Sequence, residues 1–242
     1  MTERSHSNPL SPALSPEYRG EGARGPASNP VLDKVRRSLG RSATPTSVPA
    51  PPKIDEPIAR LVHSDIGLAE LFIQQASAMK MIATPISVDD LLSTMAAFLR
   101  EHKCQRVMLS DTPLLTRLGA VEFLKEQGFD ARPWSEITPD EAYDFDAGVT
   151  DVDYAVAETG TLVIRHTPAH GRLLSLVPFV HVAVVEPKQI LPDLIDLFEA
   201  LNRDGTGSGV TMISGPSKTA DIEMNTVTGV HGPNVVKAFL LS

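Results

Sequence analysis

Cysteine is almost absent from this sequence: Cys104 is the only one in 242 residues. A single thiol cannot form an internal disulfide. It also cannot supply the several thiolates of a cysteine-ligated iron–sulfur cluster or a cysteine-rich zinc site. No His-Glu-x-x-His arrangement is present either. We therefore expect no cofactor and no metal in this chain, and we expect Cys104 to be a buried thiol.

Basic residues and long apolar runs are also scarce. The chain has 22 Lys and Arg against 30 Asp and Glu, which argues against nucleic acid as the main partner because phosphate contacts need a basic face. The longest apolar run, Val177 to Val185, contains Pro178 and His181 and falls short of the roughly 18 residues of a membrane helix. The first residues lack the apolar stretch of a signal peptide. These features predict a cytoplasmic protein with no membrane span.

The distribution of proline divides the chain near residue 57. Half of the 20 prolines lie between Pro9 and Pro57, where Tyr18 is the only aromatic residue. Residues 1–57 therefore bury too little apolar surface to fold, and we predict that most of them are disordered. A short helix is expected near 30–39, because Pro30 suits a first helical position and the apolar residues that follow share one face. This helix would dock on the body of the protein or on a partner.

Residues 58–242 alternate between helical and strand patterns. Helices are predicted over Ile58–Met79, Val88–His102 with Ser87 as N-cap, Leu114–Gln127, Thr150–Glu158 and Pro192–Asn202. Strands are predicted over Arg106–Leu109, Phe129–Pro133, Thr161–Ile164, Val180–Val185, Val210–Ile213 and Val235–Leu241. This alternation predicts an α/β fold with a mainly parallel sheet and helices on both faces. Ligands of such folds bind at the carboxyl ends of the strands.

The segment after Ile213 is rich in groups that bind anions. A Ser214-Gly215-Pro216 turn follows the predicted strand, and Ser217 or Thr219 would open a short helix. Backbone N–H groups, hydroxyls and Lys218 could converge there on a carboxylate or phosphate. It is equally consistent that Ser217 and Thr219 only cap the helix. The order and spacing of a P-loop are absent.

A second turn, Ala157 to Thr161, contains the best candidate for a catalytic carboxylate. Gly160 permits a close backbone approach or a positive φ, and Thr159 and Thr161 offer hydroxyls. Glu158 could act as a general base or nucleophile, although a glutamate here could also be merely solvated or paired. His231 precedes Gly232 on a turn and could reach the same pocket as Ser214, or be an ordinary turn histidine.

Two further segments predict surface structure more than chemistry. The glycines between Asn202 and Gly209 recur at every second position after a helix, which favours a surface loop over a dinucleotide site. His166 and His170 have metal-ligand spacing for a helix, but Pro168 between them indicates a loop.

Taken in order, the Ala157–Val163, Ser214–Glu223 and Gly229–Pro233 motifs resemble the lactate utilisation protein C (LutC/YkgG) family of the LUD-domain group. The resemblance covers the chain from about residue 29 to the end. It implies that residues 58–242 form a LUD domain of the LutC type. It also implies a fold like that of the NagB/RpiA/CoA-transferase group, which agrees with the α/β prediction.

The resemblance also implies a function. The chain would be a non-redox component of a system that oxidises L-lactate to pyruvate, with LutA-like and LutB-like partner proteins carrying the iron–sulfur clusters. The motif residues would then form a pocket for a small carboxylate such as lactate or pyruvate: Thr159, Gly160, Thr161, Ser214, Gly215, Pro216, Ser217, Lys218, Thr219, Asp221, His231 and Gly232. The alternative is a stand-alone transferase or isomerase of the CoA-transferase-like fold, in which Glu158 acts on a small carboxylate, acyl or phosphorylated substrate.

Overall fold

The computed structural model describes residues 30–40, 67–219, 227–228 and 232–242. The chain divides into two units, Met1–Lys53 and Ile54–Ser242. In the first unit, the predicted helix near 30–39 is present as α1 (Pro30–Ser38). Its Asp33 carboxylate accepts a hydrogen bond from Arg36 at 2.9 Å, and Val31 and Val35 are exposed. The disorder predicted for the rest of residues 1–57 concerns residues outside the described ranges.

The second unit contains twelve strands among its described residues. They are β1 (Ile82–Ile86), β2 (Arg106–Leu109), β3 (Asp130–Pro133), β4 (Ala147–Asp151), β5 (Tyr154–Val156), β6 (Thr161–Arg165), β7 (Val180–Val185), β8 (Ile190–Leu191), β9 (Val210–Ile213), β10 (Lys218–Thr219), β11 (Val227–Thr228) and β12 (Val235–Leu241). Six of them form a fully parallel sheet in the order β1-β12-β7-β4-β2-β3. This sheet confirms the α/β prediction.

The α-helices among the described residues of this unit are α2 (Leu68–Ala78), α3 (Val88–Glu101), α4 (Pro113–Arg117), α5 (Ala120–Glu126), α6 (Leu173–Leu176) and α7 (Leu194–Asp204). Ser87 caps α3 as predicted, because its hydroxyl accepts a hydrogen bond from the Asp90 N–H at 3.2 Å. The single helix predicted over Leu114–Gln127 is wrong. The backbone instead turns at Gly119, whose φ is +64°, and this positive φ separates α4 from α5.

A second, four-stranded sheet in the order β8-β5-β6-β9 was not predicted. The helix expected over Thr150–Glu158 is wrong, because Thr150 lies in β4 and the chain then enters β5. The Thr150 hydroxyl shares a hydrogen bond with the His181 ring at 2.9 Å instead of capping a helix. The short helix expected to open at Ser217 is also wrong, because Lys218 and Thr219 form β10, which pairs antiparallel with β11. A helix opening at Thr219 would lie outside the described residues.

The two faces of the parallel sheet are covered differently. On one face, β7 residues such as Val182 pack in a core with Leu99 of α3 and Leu124 of α5. On the other face, Ala183 packs with Phe72 of α2 and Leu162 of β6. The second face is therefore covered by a helix together with the smaller sheet. None of the helices in the described ranges is long and apolar enough to cross a membrane.

Candidate functional site

The turn between β5 and β6, residues 157–160, packs against the end of α2. Gly160 has φ +60°, and a Cβ added there would lie 2.2 Å from the backbone nitrogen of Ala76. Only glycine tolerates both this conformation and this approach. The close approach and positive φ predicted for Gly160 are both confirmed.

A chain of hydroxyl groups joins this turn to the turn after β9. Thr161 is buried, and its Oγ1 lies 2.7 Å from Thr159 Oγ1 and 2.7 Å from Ser214 Oγ. The cause is strand pairing, because β6 and β9 are antiparallel neighbours with Leu162 opposite Ile213. Two motifs that are about 50 residues apart in the sequence thus meet in one hydrogen-bonded chain, which we call the hydroxyl chain (Thr159, Thr161 and Ser214).

The turn after β9 is held in place by α2 and by the segment before β12. A Cβ on Gly215, at φ +103°, would lie 2.3 Å from the Met79 carbonyl oxygen. Lys218 Nζ donates to that same oxygen at 3.3 Å, a favourable position for a cation at a helix C-terminus. The Ser217 N–H donates to the Pro233 carbonyl at 2.8 Å.

A cavity of about 340 Å³ opens beside this turn, and we call it the serine cavity. Five residues predicted for the site line it: Ser214, Gly215, Pro216, Ser217 and Gly232. Ser175 and Thr211, which were not predicted, line it as well.

The other residues predicted for the site stand apart from this cavity wall. The hydroxyl chain and the contacts with α2 described above place four of them next to the turn after β9 but outside the cavity lining: Thr159, Gly160, Thr161 and Lys218. Glu158 is half-buried, and its N–H donates to the Pro192 carbonyl at 3.0 Å. The side chain of Thr219, and Asp221 and His231 altogether, lie outside what the structure describes.

Sequence reasoning missed a second polar group, the histidine cluster, which comprises His166, His170, His181 and Asp151. His166 Nε2 lies 2.7 Å from Thr211 Oγ1, so this ring sits directly behind the wall of the serine cavity. His170 Nδ1 lies 3.9 Å from Asp151 Oδ1. The prediction that His166 and His170 lie in a loop is confirmed, since a tight turn joins Thr167 to His170.

Burial controls the charge of this cluster. It lowers the pKa of His170 to about 4 and that of His181 to about 3, so both rings are neutral at pH 7. Burial also raises the pKa of the Asp151 carboxyl to about 6. Within the described residues, no group of three His, Cys, Asp or Glu side chains could hold a metal ion.

The buried His181 ring predicts acid sensitivity. The folded protein keeps this ring neutral down to about pH 3, whereas the unfolded chain protonates it near its ordinary pKa of about 6.5. Its contribution to stability is therefore present above pH 6.5 and is lost as the pH falls below that value. We expect the unfolding free energy of the protein to fall more steeply between pH 6.5 and 4 than that of His181→Gln, by up to about 1.4 kcal/mol per pH unit.

Asp151→Asn is the matched comparison of opposite sign. A raised carboxyl pKa stabilises the fold below about pH 4, and this contribution is lost as the pH rises through about 6. Replacing this carboxyl in Asp151→Asn should therefore make the unfolding free energy fall more steeply as the pH is lowered. Urea titrations at a series of pH values measure both slopes. Equal slopes for His181→Gln and the parent protein would contradict the neutral buried ring.

Comparisons with known proteins agree with the fold and the motifs. The model of the LUD domain family matches residues 69–241. Lactate utilization protein C of Halalkalibacterium halodurans is 29% identical over 213 residues, which cover 84% of this chain and 92% of the relative. Lactate utilization protein C 1 of Bacillus mycoides is 31% identical, covering 69% and 78%. YkgG of Escherichia coli K12 is 32% identical, covering 71% and 78%.

A solved structure shares the architecture. The crystal structure of a DUF162 family protein from Deinococcus radiodurans superposes with a TM-score of 0.55 at 23% identity, covering 72% of this chain and 96% of that one. The match therefore extends over nearly the whole of that protein. The solved structure shows the fold, whereas the family match and the relatives at 31% and 32% identity show that the chain belongs to the LUD domain family, within the lactate utilisation protein C (LutC/YkgG) group.

Proposed function

We propose that this chain is a non-redox component of a cytoplasmic system that oxidises L-lactate to pyruvate. The names of its relatives support the lactate part of this proposal. We infer that LutA-like and LutB-like iron–sulfur proteins are its partners and carry the clusters. The only cysteine supports this division of labour: Cys104 is buried, and burial raises its thiol pKa to about 11, which disfavours the thiolate that ligates iron.

The serine cavity carries the proposal that a small carboxylate, lactate or pyruvate, binds to this chain. The observation behind it is that the Ser214 and Ser217 turn lines a cavity while the hydroxyl chain fixes Ser214 from behind. Serine hydroxyl groups are suitable donors to a carboxylate. The Lys218 ammonium lies outside the cavity wall, on the Met79 carbonyl, and adds a positive charge on that side of the turn.

Substitutions at this turn test the site. We expect Ser217→Ala to weaken pyruvate binding by about tenfold, the loss expected for one hydrogen bond to a charged group. Lys218→Ala should weaken it by less, because Lys218 lies outside the cavity wall and its ammonium is bonded to the Met79 carbonyl. Calorimetric titration of the purified full chain with pyruvate and with L-lactate measures the effect. Lys188→Ala is the matched control, because Lys188 is exposed and pairs with Glu186. If both turn variants bound pyruvate as tightly as the parent protein, the proposal that this cavity binds the carboxylate would be wrong.

A stand-alone transferase or isomerase is the second candidate, and the state of Glu158 favours it. Glu158 is half-buried, and within the described residues its carboxylate has no hydrogen-bond or ion-pair partner. Turnover of a CoA ester or sugar phosphate by the purified chain, abolished in Glu158→Gln, would support this function. The absence of turnover over a broad panel of such substrates would count against it.

A further inference from the structure

The order of the parallel strands identifies a crevice that none of the predicted site residues occupies. From β2 the chain moves outward to the edge strand β3, and then returns to the other side of β2 as β4. The connections that leave β2 and β4 therefore lead to opposite faces of the sheet. In open α/β sheets, ligands bind at such a switch point, outside the carboxyl ends of the two strands.

Polar residues follow both strands at this point. Ser110 and Asp111 come directly after β2, and Asp151 ends β4. Ser110 is buried, and its Oγ lies 3.5 Å from Asp151 Oδ1. The Asp111 carboxylate accepts hydrogen bonds from the Ser135 N–H at 2.6 Å and from its hydroxyl at 3.1 Å. Each of these carboxylate oxygens retains a lone pair for a further donor.

The loop from β6 to α6 closes over this end of the sheet. The Asp111 N–H donates to the Ala169 carbonyl at 3.0 Å, which places the next residue, His170, beside Asp151. His170 is 5% exposed, and within the described residues its Nε2 has no hydrogen-bond partner. A buried polar atom without a partner is costly, so this ring nitrogen is unexplained by the fold alone.

Next to Asp151 and His170, which do not line it, a cavity of about 220 Å³ opens in front of Ser110 and Asp111, and we call this cavity the β2–β4 crevice. Its other polar walls are Thr116, Glu122, Lys125 and Glu136, and its apolar walls are Leu115, Val121 and Pro133. The cavity is smaller than the roughly 300 Å³ at which pockets for drug-sized ligands begin. It suits a small molecule rather than a nucleotide.

The charges around the crevice select the class of ligand. Three carboxylates and one ammonium line the crevice, so its net charge is negative and an anion would be repelled. Carboxylate oxygens are good acceptors for hydroxyl groups, which can both donate to Asp111 and accept from Ser110 or Thr116. We propose that the β2–β4 crevice binds a small molecule with adjacent hydroxyl groups and no negative charge, with Ser110 and Asp111 in direct contact and the Asp151–His170 pair positioning Ser110.

A matched set of five-carbon probes tests this proposal on the full-length protein. Ribitol carries adjacent hydroxyl groups, 1,5-pentanediol lacks them, ribonate adds a carboxylate and 1,5-diaminopentane replaces hydroxyls with amines. We expect saturable ribitol binding in NMR titrations, with 1,5-pentanediol and ribonate each binding about tenfold more weakly or worse. The diamine tests whether the negative charge of the wall alone selects the ligand. Tighter binding of ribonate or the diamine, or no ribitol binding up to its solubility limit, would overturn the proposal.

Variants separate direct contact from positioning. Asp111→Asn should weaken ribitol binding by about tenfold, whereas Glu126→Gln, an exposed substitution on α5 outside the crevice, should leave it unchanged. In the parent protein, ribitol binding should strengthen as the pH rises through about 6, where Asp151 ionises and becomes a better acceptor for Ser110.

The charged and titratable groups described beside Asp151 are Asp153 and His170. The pKa of His170 is about 4, so this ring does not titrate together with Asp151 near pH 6. Asp151→Asn should therefore abolish the pH dependence. If ribitol binding to Asp151→Asn still strengthened as the pH rises through about 6, the role of Asp151 in positioning Ser110 would be contradicted. Far-UV circular dichroism of each variant separates lost binding from lost folding.

Discussion

Gly160→Ala is expected to lower the unfolding free energy by about 3 kcal/mol, from left-handed backbone strain of about 1–2 kcal/mol and an overpacking cost of about 1–3 kcal/mol. The new Cβ would lie 2.2 Å from the nitrogen and 2.6 Å from the Cα of Ala76. These are backbone atoms of α2, which cannot rotate aside as a side chain can. The turn must therefore shift, and the hydroxyl chain anchored on it would shift with it. Urea unfolding measures the loss.

Gly119→Ala is a closely matched control for this prediction. Gly119 has nearly the same φ, +64°, but nothing lies within 4 Å of an added Cβ. Only the backbone strain remains, so we expect a loss of about 1 kcal/mol. If both variants lost the same stability, the close approach of the turn to α2 would not be a determinant of the fold.

Local signals in the sequence predicted four of the six strands of the parallel sheet, β2, β3, β7 and β12, but not β1 or β4. Ser87 indicated the start of α3 through its capping position, and the apolar run at Val180–Val185 predicted β7, the strand that pairs with both β4 and β12. These features depend on residues close in sequence, and a central buried strand has a strong apolar pattern. They could therefore be predicted without knowledge of the tertiary contacts.

The smaller sheet could not be predicted in the same way. β5 has three residues and β8 has two, too few to show a period, and their pairing is decided by tertiary contacts. Thr150 illustrates the consequence: its type and position suit a helix cap, but in the fold it is a strand residue whose hydroxyl meets His181. A partner 31 residues away in sequence has no local signal.

The residues of the candidate site also fall into those that local signals predict and those that tertiary contacts bring together. Gly160 and the Ser214 turn were identifiable because glycine and hydroxyl residues at a turn have a local meaning. Asp151 and His170 come together only because β4 and the loop after β6 end at the same edge of the sheet. The signal that could have found Asp151 and Ser110 is their position directly after buried strands, at a switch point that becomes visible once the strand order is known.

Association with iron–sulfur proteins has the largest expected effect on activity. If this chain is a component of a lactate-oxidising system, removing it should abolish lactate-dependent electron transfer by the remaining proteins, because no part of the assembly would replace it. The apolar residues Val31 and Val35 of α1 are exposed and are candidates for a contact with a partner. A chain truncated to start at Ile58 should then recover less of the partner proteins. Full recovery by the truncated chain would exclude α1 from the interface.

The most direct test of this account is affinity purification of the tagged full chain from its own host grown on L-lactate. The bound proteins are identified, and oxidation of L-lactate by the eluate is measured. We expect to recover cysteine-rich iron–sulfur proteins together with lactate-oxidising activity. A chain that is recovered alone, without that activity, would contradict a role as a component of the system.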